Sequence, residues 1–275
     1  MSNDATWRLL ERQNIFERYN ALLFVNPPAD TQLQPPHTSW RLYAHSIAFE
    51  ASNRLRANEQ VSAYFQHQSP CDAAVVFLPK EKKLADFIFA QLAHQLPVHT
   101  PVYVVGPNDG GIRAFMKKSI AGFATLQKVA SGNHCQLIRS ELLSQQPFAA
   151  EQFQYSVELS FQEQGYPVVF LPGVFGEGKL DAGTQLLLEN MPSQVAGRVL
   201  DFGCGSGIIS LWLQQNRKVE HVVAADLSTL ATNATTRTLA PLQQAHEVRL
   251  SDGFSNITES FDWIVTNPPF HQGKA

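Results

Sequence analysis

The chain has 275 residues, 44% hydrophobic and 16% charged, a length that suits two domains with packed cores and excludes a disordered, collagen-like or disulfide-stapled chain. No run of 18 apolar residues is present, the start Met1–Arg8 is charged where a secretory leader is apolar, and three scattered cysteines (Cys71, Cys135, Cys204) fit a reducing cytosol better than a structural zinc site, so a cytoplasmic protein is expected. The net charge of −3 divides unevenly: residues 1–150 carry 14 Lys and Arg against 11 Asp and Glu (+3) and residues 151–275 carry 7 against 13 (−6), which fits either an anionic partner on one side or two independently solvated surfaces.

In chain order, Ala21–Val25 reads as a strand stopped by Asn26-Pro27-Pro28, and Ala73–Leu78 as another ended by Pro79. Leu84, Phe87, Ile88, Leu92 and Leu96 recur at helical spacing until Pro97. Val102–Val105 is a third strand, followed by Gly106, a Gly110-Gly111 turn and a helix through Arg113 and Met116. This order predicts a parallel sheet with helices on its faces. The polar, glutamine-containing stretch 144–152 marks the boundary, giving domains 1–150 and 151–275. Beyond it, Tyr155–Leu159 and Val168–Leu171 predict a hairpin with Gly165 and Pro167 between the strands. Asp181 suits the N-cap of a helix that ends before Pro192. A second β-α run comes next, with strands at 198–202, 221–225, 247–250 and 261–266 and helices after the first two. Both halves read as β-α units of one kind, as an ancient duplication would leave them.

Asp201-Phe202-Gly203-Cys204-Gly205-Ser206-Gly207 spans the end of the first of these strands and the turn after it. Glycines allow a sharp turn and close approach of a ligand to the backbone, and the next helix aims its free N–H groups there. A dinucleotide site would show G-x-G-x-x-G, whereas Ile208 stands where the third small residue belongs. Asp201 would repel a pyrophosphate but suits an ammonium, which points to S-adenosylmethionine, whose methionyl end carries one. Asp226, closing the second strand, can accept from both ribose hydroxyls. Asp252, after the third, is either an adenine contact or a turn residue.

The fourth strand ends in Asn267-Pro268-Pro269-Phe270, at the carboxyl edge where ligands of such sheets sit. A ring-conjugated exocyclic amine is a weak nucleophile because its lone pair is delocalised. Two acceptors aimed at its N–H bonds, the Asn267 side-chain oxygen and the Pro268 carbonyl, hold the nitrogen and favour a lone pair directed at a methyl donor. The prolines remove competing N–H donors, and Phe270 offers a face to a planar base. Asn26-Pro27-Pro28-Ala29 lacks both an aromatic fourth residue and a preceding glycine turn, and reads as structural.

Over Leu171-Pro172-Gly173-Val174-Phe175, Leu180–Leu188 (L-D-A-G-T-Q-L-L-L), Val199–Gly207 and Asn267–His271 the chain resembles the bacterial ribosomal RNA small subunit methyltransferase C family, class I S-adenosylmethionine-dependent enzymes. Pro79-Lys80 and Val104-Val105-Gly106 also look like the family. The glycine turn and N-P-P-F are shared by many methyltransferases; the two upstream segments are more specific to this family and a close relative acting on the large subunit. The resemblance implies an α/β fold of two Rossmann-like methyltransferase-type domains: a degenerate first one for RNA contact and support, and a catalytic second one. It implies methylation of a guanosine N2 amine in 16S ribosomal RNA, acting on the RNA or the small ribosomal subunit. Catalysis would fall to Asn267, Pro268, Pro269 and Phe270, with the target base leaving its stack to reach them. The cofactor would be held by Phe175, Asp181, Gly183, Thr184, Asp201, Gly203, Cys204, Gly205, Gly207, Asp226 and Asp252. Lys80, Lys82, Lys83, Arg113, Lys117 and Lys118 are either phosphate contacts or a solvated helix face. His221, His246 and His271 lack ligand spacing, so no metal is expected, nor a membrane, and a monomer is. The class I sheet has seven strands, and the second domain here is expected to stop after its fourth, leaving an apolar edge strand. The rival readings are a protein-glutamine N-methyltransferase, which needs the same two acceptors, and a non-catalytic RNA-binding or assembly protein.

Overall fold

The computed structural model describes residues 4–28, 41–44, 59–66 and 71–268. The chain forms two compact units, Met1–Ala150 and Glu151–Ala275.

In the first unit, β1 (Leu22–Val25), β2 (Arg41–Ala44), β3 (Glu59–Val61), β4 (Ala73–Phe77), β5 (Pro101–Pro107), β6 (Gln127–Gly132) and β7 (Cys135–Glu141) form one sheet in the order β3-β2-β1-β4-β5-β7-β6. Every residue of β1 and β4 is buried, which is why both read as unbroken apolar runs. The first five strands pair in parallel, as expected. The last two depart from the expected parallel sheet: β7 runs antiparallel to both β5 and β6. Asn133 and His134, at φ 51° and 60°, turn β6 straight back into β7.

Helix α1 (Ala5–Arg12) is capped by Asp4, whose carboxylate accepts from the N–H groups of Thr6 and Trp7, and Trp7 and Leu10 pack with Phe24, Val75 and Tyr103. A turn of helix, α2 (Ile15–Arg18), comes after it. Helix α3 (Lys82–Gln95) buries Leu84, Phe87, Ile88 and Leu92, and Leu96 closes it before Pro97. The helix expected through Arg113 and Met116 is a single turn, α4 (Ile112–Phe115), entered through Gly111 at φ 89°. Asn26 adopts φ 54° and donates its side-chain amide to the Phe77 carbonyl at 3.3 Å, a strand-end tie rather than a ligand group.

The second unit opens with the hairpin of β8 (Tyr155–Phe161) and β9 (Gln164–Phe170). Its turn is Gln162-Glu163, at φ 49° and 64°, while Gly165 and Pro167 lie inside β9. The alternation that buries Tyr166, Val168 and Phe170 carries the strand past both residues, and a two-stranded ribbon tolerates the missing proline N–H. Then come α5 (Ala182–Glu189), β10 (Ala196–Phe202), α6 (Ile208–Asn216), β11 (Lys218–Asp226), α7 (Thr229–Leu239), β12 (His246–Leu250) and β13 (Trp263–Thr266). The four strands β10–β13 form a parallel sheet in the order β12-β11-β10-β13. Leu200, Val223, Ala225 and Ile257 pack together in its core. Phe202 pairs with Thr266, so the glycine turn after β10 and Asn267 after β13 leave the sheet side by side. Among the described residues β13 is an edge strand, with Ile264 54% exposed.

Candidate active site

A cleft of about 400 Å³ opens at this carboxyl edge, within the range of small-molecule sites. Gly203, Cys204, Gly205 and Ser206 form one wall, Asp226 and Leu227 a second, and Phe175, Asp181 and Thr184 a third; Asn267 and Pro268 close it. The three glycines of the turn all have left-handed φ (79°, 56° and 81°) but differ in task. A Cβ on Gly203 or Gly205 would meet nothing within 4 Å, so their bare backbone faces open space. A Cβ on Gly207 would lie 2.9 Å from the Thr235 methyl and 3.1 Å from its Cα, so Gly207, which does not line the cleft, lets the turn pack on α7. The N–H groups of Gly203 and Cys204 donate to the Ala225 carbonyl at 2.8 and 3.0 Å, tying the turn to β11.

Asp226 lies on the cleft, accepting from Gly205 N–H at 3.0 Å and Ser228 N–H at 2.9 Å. Burial pushes its pKa up against those bonds. Asp201, expected beside the ligand ammonium, is 0% exposed and is not among the lining residues. Its Oδ2 accepts from the Ser210 N–H (3.1 Å) and hydroxyl (2.6 Å), bracing α6 beneath the turn, and its Oδ1 has no partner. Burial raises its pKa to about 6, the Ser210 bonds opposing and the Asp226 charge adding. The Cys204 thiol is 4% exposed and accepts from the Thr235 hydroxyl at 3.3 Å; burial holds it protonated. Asp252 does not line the cleft, though its neighbours Ser251 and Gly253 do, and Gly253 (φ 57°) presents open backbone as Gly203 does.

Phe175 is 59% exposed on the rim, in a loop whose Gly176, Glu177 and Gly178 all have positive φ. Asp181 caps α5, its Oδ2 accepting from Thr184 N–H at 3.1 Å. The Asn267 Nδ2 group donates to that same Oδ2 at 3.1 Å and to the Thr184 hydroxyl oxygen at 2.9 Å. Gly183 lies under this pair rather than on the cleft: a Cβ there would be 3.0 Å from Asn267 Oδ1 and from Asp181 Oδ2. Pro269, Phe270 and His271 lie outside the described residues. The apolar lining from Leu159, Phe202, Ile208, Ile209 and Leu227 lies beyond the sequence expectation. Phe202, Ile208 and Leu227 flank the recognised motifs and are open to inference from them; Leu159, from the hairpin, carries no local signal. Phe254 stacks on Phe202 with ring centroids 4.9 Å apart.

In the first unit, Lys80, Lys82, Lys83, Arg113, Lys117 and Lys118 are all exposed, beyond the carboxyl ends of β4 and β5, with Lys118 paired to Asp86. Among the described residues, no three His, Cys, Asp or Glu side chains are grouped to hold a metal, and no helix is long and apolar enough to cross a membrane.

Two family models match the chain: methyltransferase small domain N-terminal over residues 8–156 and methyltransferase small domain over residues 165–275. Among curated relatives, the ribosomal RNA small subunit methyltransferase C of Escherichia coli (strain K12) is 38% identical over 250 residues, covering 89% of this chain and 69% of that protein. The protein of that name from Shewanella sp. (strain MR-4) is 35% identical over 225 residues, covering 80% and 66%. The chain thus spans about two thirds of the length of these relatives. Among solved structures, the T. thermophilus 16S rRNA N2 G1207 methyltransferase in complex with AdoMet and guanosine superposes with a TM-score of 0.83 at 23% identity, covering 98% of this chain and 76% of that one, a likeness of fold.

Proposed function

The chain belongs to the ribosomal RNA small subunit methyltransferase C family, and on that premise we propose that it methylates the N2 amine of a guanosine in 16S ribosomal RNA, using S-adenosylmethionine. The observation that carries the reading is the Asn267 carboxamide. Its nitrogen is committed to Asp181 and Thr184, while among the described residues no donor reaches its oxygen. That leaves an acceptor, beside the Pro268 carbonyl, at the mouth of a cleft suited to a nucleoside-bearing cofactor.

The cleft fits the cofactor on its own geometry. The open faces of Gly203, Gly205 and Gly253 form a cradle that any Cβ would fill. Asp226 retains acceptor capacity beyond the two N–H groups it already holds, enough for ribose hydroxyls. Leu227, Phe202 and Ile208 supply apolar lining for a purine. When bound, the cofactor supplies an electrophilic methyl group on a sulfonium.

This chain's residues do the rest. Asn267 Oδ1 and the Pro268 carbonyl accept the two N–H bonds of the guanine amine. They pull its nitrogen out of conjugation and turn its lone pair toward the cleft. The gain is positional and electrostatic, and no strong base is required because the product ammonium is acidic. Phe270 would stack on the extruded base. The first unit's exposed Lys and Arg would meet RNA phosphates, giving a salt-dependent affinity. The protein would work in the cytoplasm as a monomer on 16S rRNA or on the small subunit.

The test is transfer of radiolabelled methyl to unmodified 16S rRNA and to small subunits, with nucleoside analysis of the product. N2-methylguanosine, formed much more slowly but still measurably by Asn267→Ala, is the expected product. Label appearing instead on a release-factor glutamine, or no label with any RNA while S-adenosylmethionine binds, would overturn the assignment.

A further inference from the structure

We propose that Asp181 and Thr184 are positioning residues that fix which end of the Asn267 carboxamide faces the cleft; the inference rests on the reading of Asn267 given above. The two ends of an asparagine side chain are nearly equal in shape and opposite in hydrogen bonding. With the nitrogen outward, Asn267 would point a donor at the donor amine it must hold. A carboxylate can only accept, so Asp181 Oδ2, 3.1 Å away, decides the matter: nitrogen faces Asp181 and oxygen is left over. The Thr184 hydroxyl oxygen accepts the second N–H at 2.9 Å, so both donors of the amide are used.

The carboxylate is itself held. Asp181 Oδ2 also accepts from Thr184 N–H at 3.1 Å as the cap of α5, so the helix start fixes the group that fixes Asn267. Gly183 completes the bracket, because any Cβ there would press to 3.0 Å on both Asn267 Oδ1 and Asp181 Oδ2. The segment Asp181-Ala182-Gly183-Thr184 thereby acts on a residue more than eighty positions later.

The test uses three variants. Asp181→Ser keeps an N-capping hydroxyl but is too short to reach Asn267. Thr184→Val keeps the shape and removes the acceptor. Asp181→Asn keeps an acceptor oxygen of the same reach and serves as the conservative rescue. Two readouts need no turnover: the Asn267 side-chain amide signals in nitrogen-15 NMR, assigned by their loss in Asn267→Ala, and titration with S-adenosylhomocysteine. Because Asp181 and Thr184 also line the cleft, the signals are read in the cofactor-free protein, where Asp181→Ser and Thr184→Val are expected to shift them and speed their exchange, and the S-adenosylhomocysteine Kd of each variant sets the saturating cofactor concentration for the rate assay. In methyl transfer to small subunits kcat is expected to fall about 10- to 100-fold in Asp181→Ser, to recover in Asp181→Asn, and to fall no further when Asp181→Ser is added to Asn267→Ala. Unchanged amide signals in the cofactor-free protein, a rate that saturating S-adenosylmethionine fully restores, or a further fall in the Asn267→Ala background would each overturn the proposal. A wild-type protein that binds S-adenosylhomocysteine yet methylates no RNA overturns the assigned reaction instead, and the amide signals still decide the bracket.

Discussion

Asp201 offers a quantitative test of how the second unit is built. It is wholly buried, with one oxygen bonded to Ser210 and the other without a partner, and burial lifts its pKa from the ordinary 3.8 to about 6. A carboxyl group whose folded pKa is raised binds its proton more tightly in the folded state. Its stabilising contribution is therefore complete below the unfolded pKa and is lost as pH rises through the folded one. Over the full window the loss amounts to roughly 3 kcal/mol. Between pH 4.5 and 7.5 it is about 2 kcal/mol, because about 1 kcal/mol is already gone at pH 4.5. Asp201→Asn cannot ionise and escapes this loss, while any fixed effect of placing an amide beside Ser210 is the same at both pH values. The two proteins should be compared in urea at each pH, with unfolding of β10 and α6 tracked by peptide-resolved hydrogen exchange so that the other unit does not contribute. The stability of the variant relative to wild type should rise by about 2 kcal/mol on going to pH 7.5, a midpoint gain on the order of 1 M urea. Parallel pH profiles, or a relative loss for the variant at high pH, would mean that Asp201 is ionised at no penalty, and the account of a buried brace beneath the glycine turn would fail.

The glycines of the turn should separate by task. Gly203→Ala faces open space, so it should cost only about 1 kcal/mol of backbone strain yet weaken S-adenosylhomocysteine binding by calorimetry, whereas Gly207→Ala, driven into Thr235, should lose roughly 2–4 kcal/mol in a urea melt. Asp226→Ala should lower S-adenosylhomocysteine affinity about tenfold or more, with Asp226→Asn intermediate; an unchanged Kd would remove Asp226 from the binding site. Arg217→Ala gives up donors to the Met191 and Pro192 carbonyls at 2.8 and 3.0 Å and a stack on Trp212 at 4.4 Å, and should cost about 1–2 kcal/mol in the same melt with no change in cofactor affinity.

Local chemistry makes much of this fold legible in the sequence. The strands of the second unit, the cap at Asp181 and the turn after β10 all announce themselves by residues whose backbone or side-chain needs are met within a few positions. The features that escape such a reading depend on partners far away in the chain. Gln162-Glu163 has no glycine or asparagine to mark it as a turn; only the burial alternation of β8 against β9 sets the register that puts it there. Strand β6 is polar and mostly exposed, without the alternation that signals a strand, and exists because β7 pairs with it. Asp201 shows the limit most clearly. Motif spacing locates the turn, but which side of the sheet a strand-end carboxylate faces is decided by packing, and here it faces Ser210 on α6.

The two units share one strand order at their centres, β3-β2-β1-β4 in the first and β12-β11-β10-β13 in the second, so fold alone does not place the chemistry. The difference lies in the segments that leave the ends of corresponding strands. After β10 the chain turns through left-handed glycines with bare backbone toward the cleft; after β1 it runs into Asn26-Pro27-Pro28, and Asn26 spends its amide on the Phe77 carbonyl of the neighbouring strand. After β13 comes Asn267, braced from outside the sheet with its oxygen left over; after β4 comes Leu78, whose N–H closes on the Val105 carbonyl at 2.9 Å. Among the described residues, Asn26 and Leu78 of the first unit spend these groups on neighbouring strands, whereas in the second the Asn267 nitrogen is held and its oxygen is left over. The Asn267 oxygen is half-buried on a cleft that water can enter, so a ligand amine that meets it exchanges a solvent hydrogen bond for one already aimed, and the advantage is one of orientation. The exposed lysines and arginines of the first unit stand after the carboxyl ends of β4 and β5, so the edge that carries the cleft in the second unit carries exposed positive charge in the first.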